Sequence, residues 1–444
     1  MSARPTSTCA ASTDTASIRP RVALFQAFWT LHSSTLFAAL TLSAAGYDVD
    51  VFLFGVAEVV PTSLLEGVRG VSVHCLDSPL SKSLSSKTIS MDQASHGSGR
   101  HFFTTFGEKV LRESRRNLNR ILTFLRFLIG SDRGLLPAQV LKRTFAMLQA
   151  HQPKVLIGID KGGLAWAGAM ASRLRRPLIY SSLELYTRDH WFYAGSYTQK
   201  RLKLAEEQYH RRCWATIVQD ELRGKALLAD NRVQSEMRML YVPVCRLGEP
   251  HARTSPWLRD RLSLPASQII ILSYGLIAAM RYSVQLATIA QEFPNNWTLV
   301  IHGYGESSII QKIRELDAKN KVCLSLSLVD LSEEQIVVSS ATISLVFYGD
   351  DYINDKLTGF SSEKLALSLQ CGVPVVAFDY PSYSHIRDEH CGVLIRNLSE
   401  IPVAISQILA DYSGYRSRAL STFKKYYQFE ANFKKVLNAL DELP

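Results

Sequence analysis

No run of about 18 apolar residues passes through this 444-residue chain without charge, so a membrane-spanning helix is not expected. The longest candidate, Ile121 to Ile129, is short and carries Arg126. Residues 1–20 are rich in Ser, Thr and Ala and lack the continuous apolar core of a secretion signal, so they read as a disordered leader. The cysteines, at 9, 75, 213, 245, 323, 371 and 391, are odd in number and form no C-x-x-C pair. That disfavours a disulfide or zinc framework and fits reduced thiols in the cytoplasm. The 11 histidines contain neither H-x-H nor H-E-x-x-H, so no metal or cofactor is expected. Zinc-finger and RNP1-like signatures are missing as well, which argues against a nucleic-acid partner.

What the chain does have is 47% hydrophobic residues, enough for packed cores, in a length that calls for two or three domains. The formal charge of +10 favours anionic partners such as nucleotides or phospholipid surfaces, although a merely soluble basic protein has the same balance. Arg21 to Phe25 reads as a strand, about Thr35 to Ala45 as a helix stopped by Gly46, and Val49 to Phe54 as a second strand. This β-α-β opening predicts a parallel sheet. Its first loop, Gln26 to Ser34, has no glycine, which disfavours a dinucleotide fingerprint and hence an NAD-dependent enzyme.

Residues 81–99 hold seven serines and read as a surface loop. A basic helical stretch follows over about 106–149. Between Phe106 and Arg143 it has nine Lys or Arg against three Asp or Glu, a net of +6. Leu118, Ile121, Leu122, Leu125 and Leu128 recur there at helical spacing among arginines, so the stretch suits either an anionic membrane surface or an ordinary core-facing role. Strands are expected again at Val155–Ile159, Leu178–Tyr180 and Thr216–Gln219. A boundary falls in the stretch bearing Pro243, Pro250, Pro256 and Pro265. The second half repeats the pattern, with strands at Ile269–Ser273, Thr298–His302, Val322–Leu326, Ile343–Phe347, Val373–Phe378 and Gly392–Ile395. The expected fold class is α/β, with two Rossmann-like domains facing across a cleft at the carboxyl ends of their strands.

Residues 359–378 read as loop, helix, turn and buried strand. Ser361 or Ser362 caps a helix that has Glu363 in its first turn, and Gly372 ends it. Unpaired amides and the positive dipole end suit a diphosphate, and Lys364 adds charge; a plain capped helix with a surface lysine has the same letters.

This segment resembles the donor site of GT-B glycosyltransferases, nearest to the family 4 type, through Cys371-Gly372-Val373-Pro374-Val375-Val376-Ala377. Tyr274-Gly275 to Arg281 resembles that family's loop after the first strand of the second domain, with Arg281 at a phosphate-gripping position. Val300 to Gly305, including His302 and Gly303, resembles its next strand and turn, and Val329-Asp330-Leu331-Ser332 its nucleobase loop. The resemblance implies an N-terminal acceptor domain over 21–245, a nucleotide-sugar domain over 246–425 and a helix at 426–444 crossing back. It implies sugar transfer from a nucleotide-diphosphate donor to a hydroxyl, retaining and metal-independent, with Arg281 and Lys364 taking up phosphate charge. Gly275, His302, Gly303, Val329, Ser361, Ser362 and Glu363 would form the donor site. Two glutamates common in the family fall, in this register, at Gly359 and Leu367, and a second basic position is Leu276.

On the acceptor side, Asp160 in Gly158-Ile159-Asp160-Lys161-Gly162-Gly163 either orients or deprotonates an acceptor hydroxyl or caps a helix. Glu184 follows the next strand and reads as a cleft or a structural carboxylate. Phe28, Trp29 and His32 in the first loop read as substrate contacts or as packing. Asp48-Val49-Asp50 formally matches the D-x-D of the other glycosyltransferase architecture, but acidic residues are commonplace at a strand start. A lipid-linked or polysaccharide acceptor, and peripheral attachment to a membrane, are the further expectations. The rival readings are a nucleotide-sugar 2-epimerase and a catalytically silent glycosyltransferase-like subunit.

Overall fold

Strand β1 (Arg21–Gln26) alternates its side chains between two cores: Val22 and Leu24 enter one, and Ala23 and Phe25 the other. A sheet buried on both faces needs such continuous apolar strands, and parallel sheets are the usual case. The computed structural model describes residues 19–27, 32–54, 68–76, 135–190, 197–234 and 236–443. Residues 1–18 of the expected leader, Phe28 and Trp29, the serine-rich 81–99 and the basic stretch up to 134, with Leu118 to Leu128, lie outside the described residues, whereas Arg19, also counted in the leader, is hydrogen-bonded to the carbonyls of Gly46 and Tyr47. No described helix is long and apolar enough to cross a membrane.

The first half adds β2 (Asp48–Phe54), β3 (Val71–Leu76), β4 (Val155–Ile159), β5 (Leu178–Ser181), β6 (Ala215–Val218) and β7 (Met239–Tyr241). They form one seven-stranded sheet in the order β3-β2-β1-β4-β5-β6-β7, parallel throughout. Its helices are α1 (Ser33–Ala44), α2 (Ala138–His151), α3 (Asp160–Leu174), α4 (Tyr197–His210) and α5 (Glu221–Asn231). The second half holds β8 (Ile269–Ile277), β9 (Trp297–Gly305), β10 (Val322–Ser325), β11 (Ile343–Val346), β12 (Val375–Phe378) and β13 (Gly392–Ile395). They pair in parallel as β10-β9-β8-β11-β12-β13. Two Rossmann-like sheets are therefore present, as the strand pattern predicts.

Three helices of the second half matter for the site. Helix α6 (Glu363–Gln370) begins at Ser362, whose Oγ accepts from the Leu365 amide, and it stops before Gly372 at φ +65°. Helix α7 (Tyr412–Tyr426) packs on α6. Helix α8 (Phe429–Asp441) leaves its own half and puts Phe429, Phe433, Val436, Ala439 and Leu440 into the core under the first sheet.

Strands β8 and β9 run further than the sequence predicts. Tyr274-Gly275 and Gly303 are not turn residues but paired strand residues, with Gly275 opposite Gly303 and Ile277 opposite Gly305. The glycines allow close main-chain approach: a Cβ on Gly303 would lie 2.0 Å from the Gly275 carbonyl oxygen, and its φ is +143°. Gly275 has φ +105° but open space around it. We expect Gly303→Ala to destabilise the protein by about 2–4 kcal/mol through clash plus strain, and Gly275→Ala by about 1–2 kcal/mol through strain alone. Urea unfolding of the two variants gives the ranking; equal costs would contradict the close approach.

Candidate functional site between the two halves

The carboxyl edges of both sheets meet at a cleft of about 230 Å³. From the first half it is lined by His32, Ser33 and Ser34 at the start of α1, and by Leu183 and Glu184 after β5. The second half contributes Arg281, Tyr348, Asn354, Asp355, Ser361 and Glu363 among others. The amino ends of α1 and α6 both border the cleft, which makes it a place for negative charge.

Two cations share one aromatic ring. The Arg281 guanidinium lies 4.2 Å from the Tyr348 ring centroid and the Lys364 ammonium 4.3 Å from it. Lys364 Nζ donates to the Phe347 carbonyl at 3.2 Å, and Arg281 Nη1 to Asp355 Oδ1 at 3.4 Å. Burial pushes Lys364 well below the ordinary lysine range; the Arg281 charge pushes the same way and Asp355 opposes it. The Tyr348 hydroxyl contacts Ser362 Oγ at 2.7 Å, and burial raises its pKa to about 12. Ser361 Oγ accepts from Arg223, and Glu363 pairs with Arg246 at 2.8 Å.

Of the donor residues expected from sequence, the structure brings Arg281, Lys364, Ser361, Ser362 and Glu363 together. It separates His302, which is sealed in the second half at 1% exposure. There His302 Nδ1 meets Ser325 Oγ at 2.9 Å, its ring stacks on Tyr274, and burial lowers its pKa to about 4. A neutral, enclosed imidazole presents nothing to a ligand, so His302 serves packing here. Gly275 and Gly303 are strand contacts, and Val329 packs against the cluster around Leu258 and Val337.

Asp160 also needs correction. It starts α3 with φ +51°, a left-handed conformation that Asp tolerates better than most residues, and it does not cap its own helix. Its Oδ1 accepts from the amides of Leu183 and Glu184 at 2.8 and 3.0 Å, so it holds the turn that presents Glu184. Oδ2 is buried without a hydrogen bond. Burial pushes the Asp160 carboxyl up to about 6, against the pull of His32 and the two amides. The residue stands behind the cleft wall, whereas His32 and Glu184 form it. Next to it, Lys161 is buried over the Tyr186 ring at 4.4 Å, and burial lowers its pKa to about 8.

Sequence reasoning missed Arg223, Tyr348, Asn354 and Asp355. Arg223 is buried at 1% exposure and bridges the halves. Its Nη1 donates to Leu357 O and Ser361 Oγ, and its Nη2 to Leu183 O and Asn354 Oδ1, all at 3.0–3.1 Å. Asn354 returns the link: its Oδ1 accepts from the Leu185 amide at 2.9 Å and its Nδ2 donates to Glu184 at 3.2 Å. Tyr348 alone had a signal, since it follows β11 at the carboxyl edge where ligands bind.

Asp48 and Asp50 lie at the opposite, amino edge of the sheet. Asp50 is fully buried and meets His74 at 2.8 Å, His151 at 2.9 Å and Arg21 at 3.1 Å. Asp50, His74 and His151 are close enough to hold a metal, but the Arg21 guanidinium already answers the carboxylate.

Asp160→Asn keeps an oxygen for the two amides and removes the charge. Because the folded pKa is about 6 against an ordinary 3.8, the folded chain holds the proton longer. Wild-type stability relative to the variant should therefore fall as pH rises from about 4 to about 6 and level off above. Urea unfolding at pH 4, 5, 6 and 7 measures the difference; a pH-independent gap would contradict it. Arg223→Met should cost about 3 kcal/mol or more, because it strands acceptors from both halves. It should also raise the radius of gyration in small-angle scattering, and an unchanged value would refute the bridging role.

No protein-family model matches the chain, and no curated protein matches it in sequence. Solved structures do match in three dimensions. HepE of Anabaena, in complex with UDP-glucose, superposes with a TM-score of 0.65 at 12% identity over 95% of this chain and 100% of that one. Sucrose-phosphate synthase of Thermosynechococcus elongatus gives 0.64 at 14% identity, over 96% and 99%. WaaG, a glycosyltransferase involved in lipopolysaccharide biosynthesis, gives 0.54 at 13% identity, over 95% and 99%. With its two parallel sheets facing across a cleft, the chain has the GT-B glycosyltransferase fold.

Proposed function

We propose that this protein transfers a sugar from a nucleotide-diphosphate donor to a hydroxyl acceptor, without a metal. The observation that carries the reading is the Arg281–Tyr348–Lys364 stack beside the amino end of α6. Two cations held on one ring have one ion-pairing carboxylate between them, Asp355, since Glu363 is paired with Arg246, and are short of negative charge. A diphosphate supplies it, and restores the charged form of Lys364 that burial disfavours. The solved relatives bound to UDP or UDP-glucose support the same donor class.

In the proposed reaction the bond between the sugar C1 and the diphosphate oxygen breaks and a bond from C1 to the acceptor oxygen forms. Negative charge grows on the diphosphate, and Arg281, Lys364 and the α6 amides near Ser361 and Ser362 stabilise it in a pre-set arrangement. With retained configuration the acceptor approaches from the side of the leaving group, so its proton passes to the departing phosphate oxygen. Glu184 and His32 line the acceptor wall, and Asp160 positions the Glu184 turn. Val329 would lie toward the nucleobase. Glu363, fixed by Arg246, would stand at the donor's sugar end. The protein would work in the cytoplasm, at a membrane if its acceptor is lipid-linked.

A thermal-shift panel of UDP-, GDP- and ADP-sugars tests the donor site by mass action. Arg281→Ala and Lys364→Ala should each weaken the best donor about tenfold to a hundredfold, the worth of one charge-assisted hydrogen bond. Unaltered binding in both variants refutes the site. Transfer assays then separate the rivals. An epimerase interconverts donors with no acceptor, and a silent subunit shows neither activity.

A further inference from the structure

A second cavity, of about 40 Å³, adjoins the cleft, and Ser34 and Leu183 line both. It lies between one face of the first sheet, represented by Leu24, Ile157 and Ile217, and the helices α1 and α8, represented by Ala38 and Phe433. Its size would admit water, but a stable buried water needs two to four polar partners, and these walls are mostly apolar. Its polar side chains are Ser34, Thr35, Ser181 and Gln219, and of these Gln219 is the one with a buried atom that lacks a partner. Its Nε2 donates to the Ser182 carbonyl at 2.7 Å, which fixes the amide orientation and leaves Oε1 buried with no partner. Folded proteins pair nearly all such atoms. An unmet acceptor in the wall of a mostly apolar slot beside the cleft points to a hydrogen-bond donor that arrives with a ligand.

We propose that this slot seats the apolar end of the sugar acceptor. The class of acceptor is an alcohol with a slim alkyl portion that carries one O–H or N–H, which donates to Gln219 Oε1. The hydroxyl to be glycosylated stays on the cleft side of Ser34 and Leu183. Such an acceptor is lipid-like rather than the end of a polysaccharide, whose polar rings do not suit the mostly apolar walls. The word acceptor rests on the glycosyl-transfer reading, but binding of an apolar alcohol does not depend on it.

Ligand-observed NMR on the full chain, with 1-butanol through 1-octanol and with 1-fluorohexane, tests this. Affinity should rise about fourfold per methylene until the slot is full. 1-Hexanol should bind about fivefold tighter than 1-fluorohexane, which has the same shape but no donor. Gln219→Leu should erase that preference and keep the chain-length series. Ala38→Phe should plug the slot and remove alkanol binding, and Ala38→Leu is the smaller plug if Phe prevents folding. Melting temperature and circular dichroism identify the folded variants. The proposal is overturned if no alkanol binds, if binding survives both plugs, or if the hydroxyl preference is the same in Gln219→Leu. A missing donor shift with alkanol binding intact sinks the donor site alone.

Discussion

The arrangement at the cleft depends on one buried guanidinium. Arg223 reaches from the first turn of α5 and donates to one oxygen of the first half, on Leu183, and to three of the second, on Asn354, Leu357 and Ser361. A cation taken out of water is tolerable only when it is hydrogen-bonded, and here both Nη groups each meet two oxygens while Nε is buried without a partner. Those oxygens come from two segments, at Leu183 and at Asn354 to Ser361, that are far apart in sequence, so binding Arg223 sets the distance between the two sheet edges. The Glu184 turn and the Ser361 cap are then held at fixed separation across the space a substrate would fill.

Charge on the two walls is divided. On the second-half wall Asp355 and Glu363 are ion-paired with Arg281 and Arg246, and Lys364 stacks on Tyr348, while the first half presents Glu184, with Asp160 behind it. Burial works against the charged forms of both Lys364 and Asp160, lowering the pKa of one and raising that of the other. A ligand with a strongly anionic end and a neutral, hydroxyl-bearing end fits this division better than one with uniform charge.

Much of the fold was legible because β1, β2, β4, β11 and β12 are short apolar runs buried on both faces. Helix α6 was legible down to its cap, since Ser362 and Gly372 are local signals whose meaning needs no tertiary context. Strand β3 escaped, because its residues are only partly buried and lack a continuous apolar run; β7 is three residues long. Glycine misled at β8 and β9: Gly275 and Gly303 punctuate turns in isolation, but here they let two main chains approach. His302 was misplaced with them. The cations of the proposed donor site stood out mainly through resemblance, as nothing local distinguishes Lys364 from a surface lysine. Arg223, Asn354 and Gln219 carry no sequence pattern at all, because their partners are set by packing across long separations.

The path of α8 bears on how such a chain comes to be folded. Phe429, Phe433, Val436, Ala439 and Leu440 complete the core beneath β1, β2 and β4, so the first half lacks part of one wall until α8 has been made. During synthesis that face of the sheet stays open while the second half is made. Helix α8 closes it, tying completion of the first half to completion of the second.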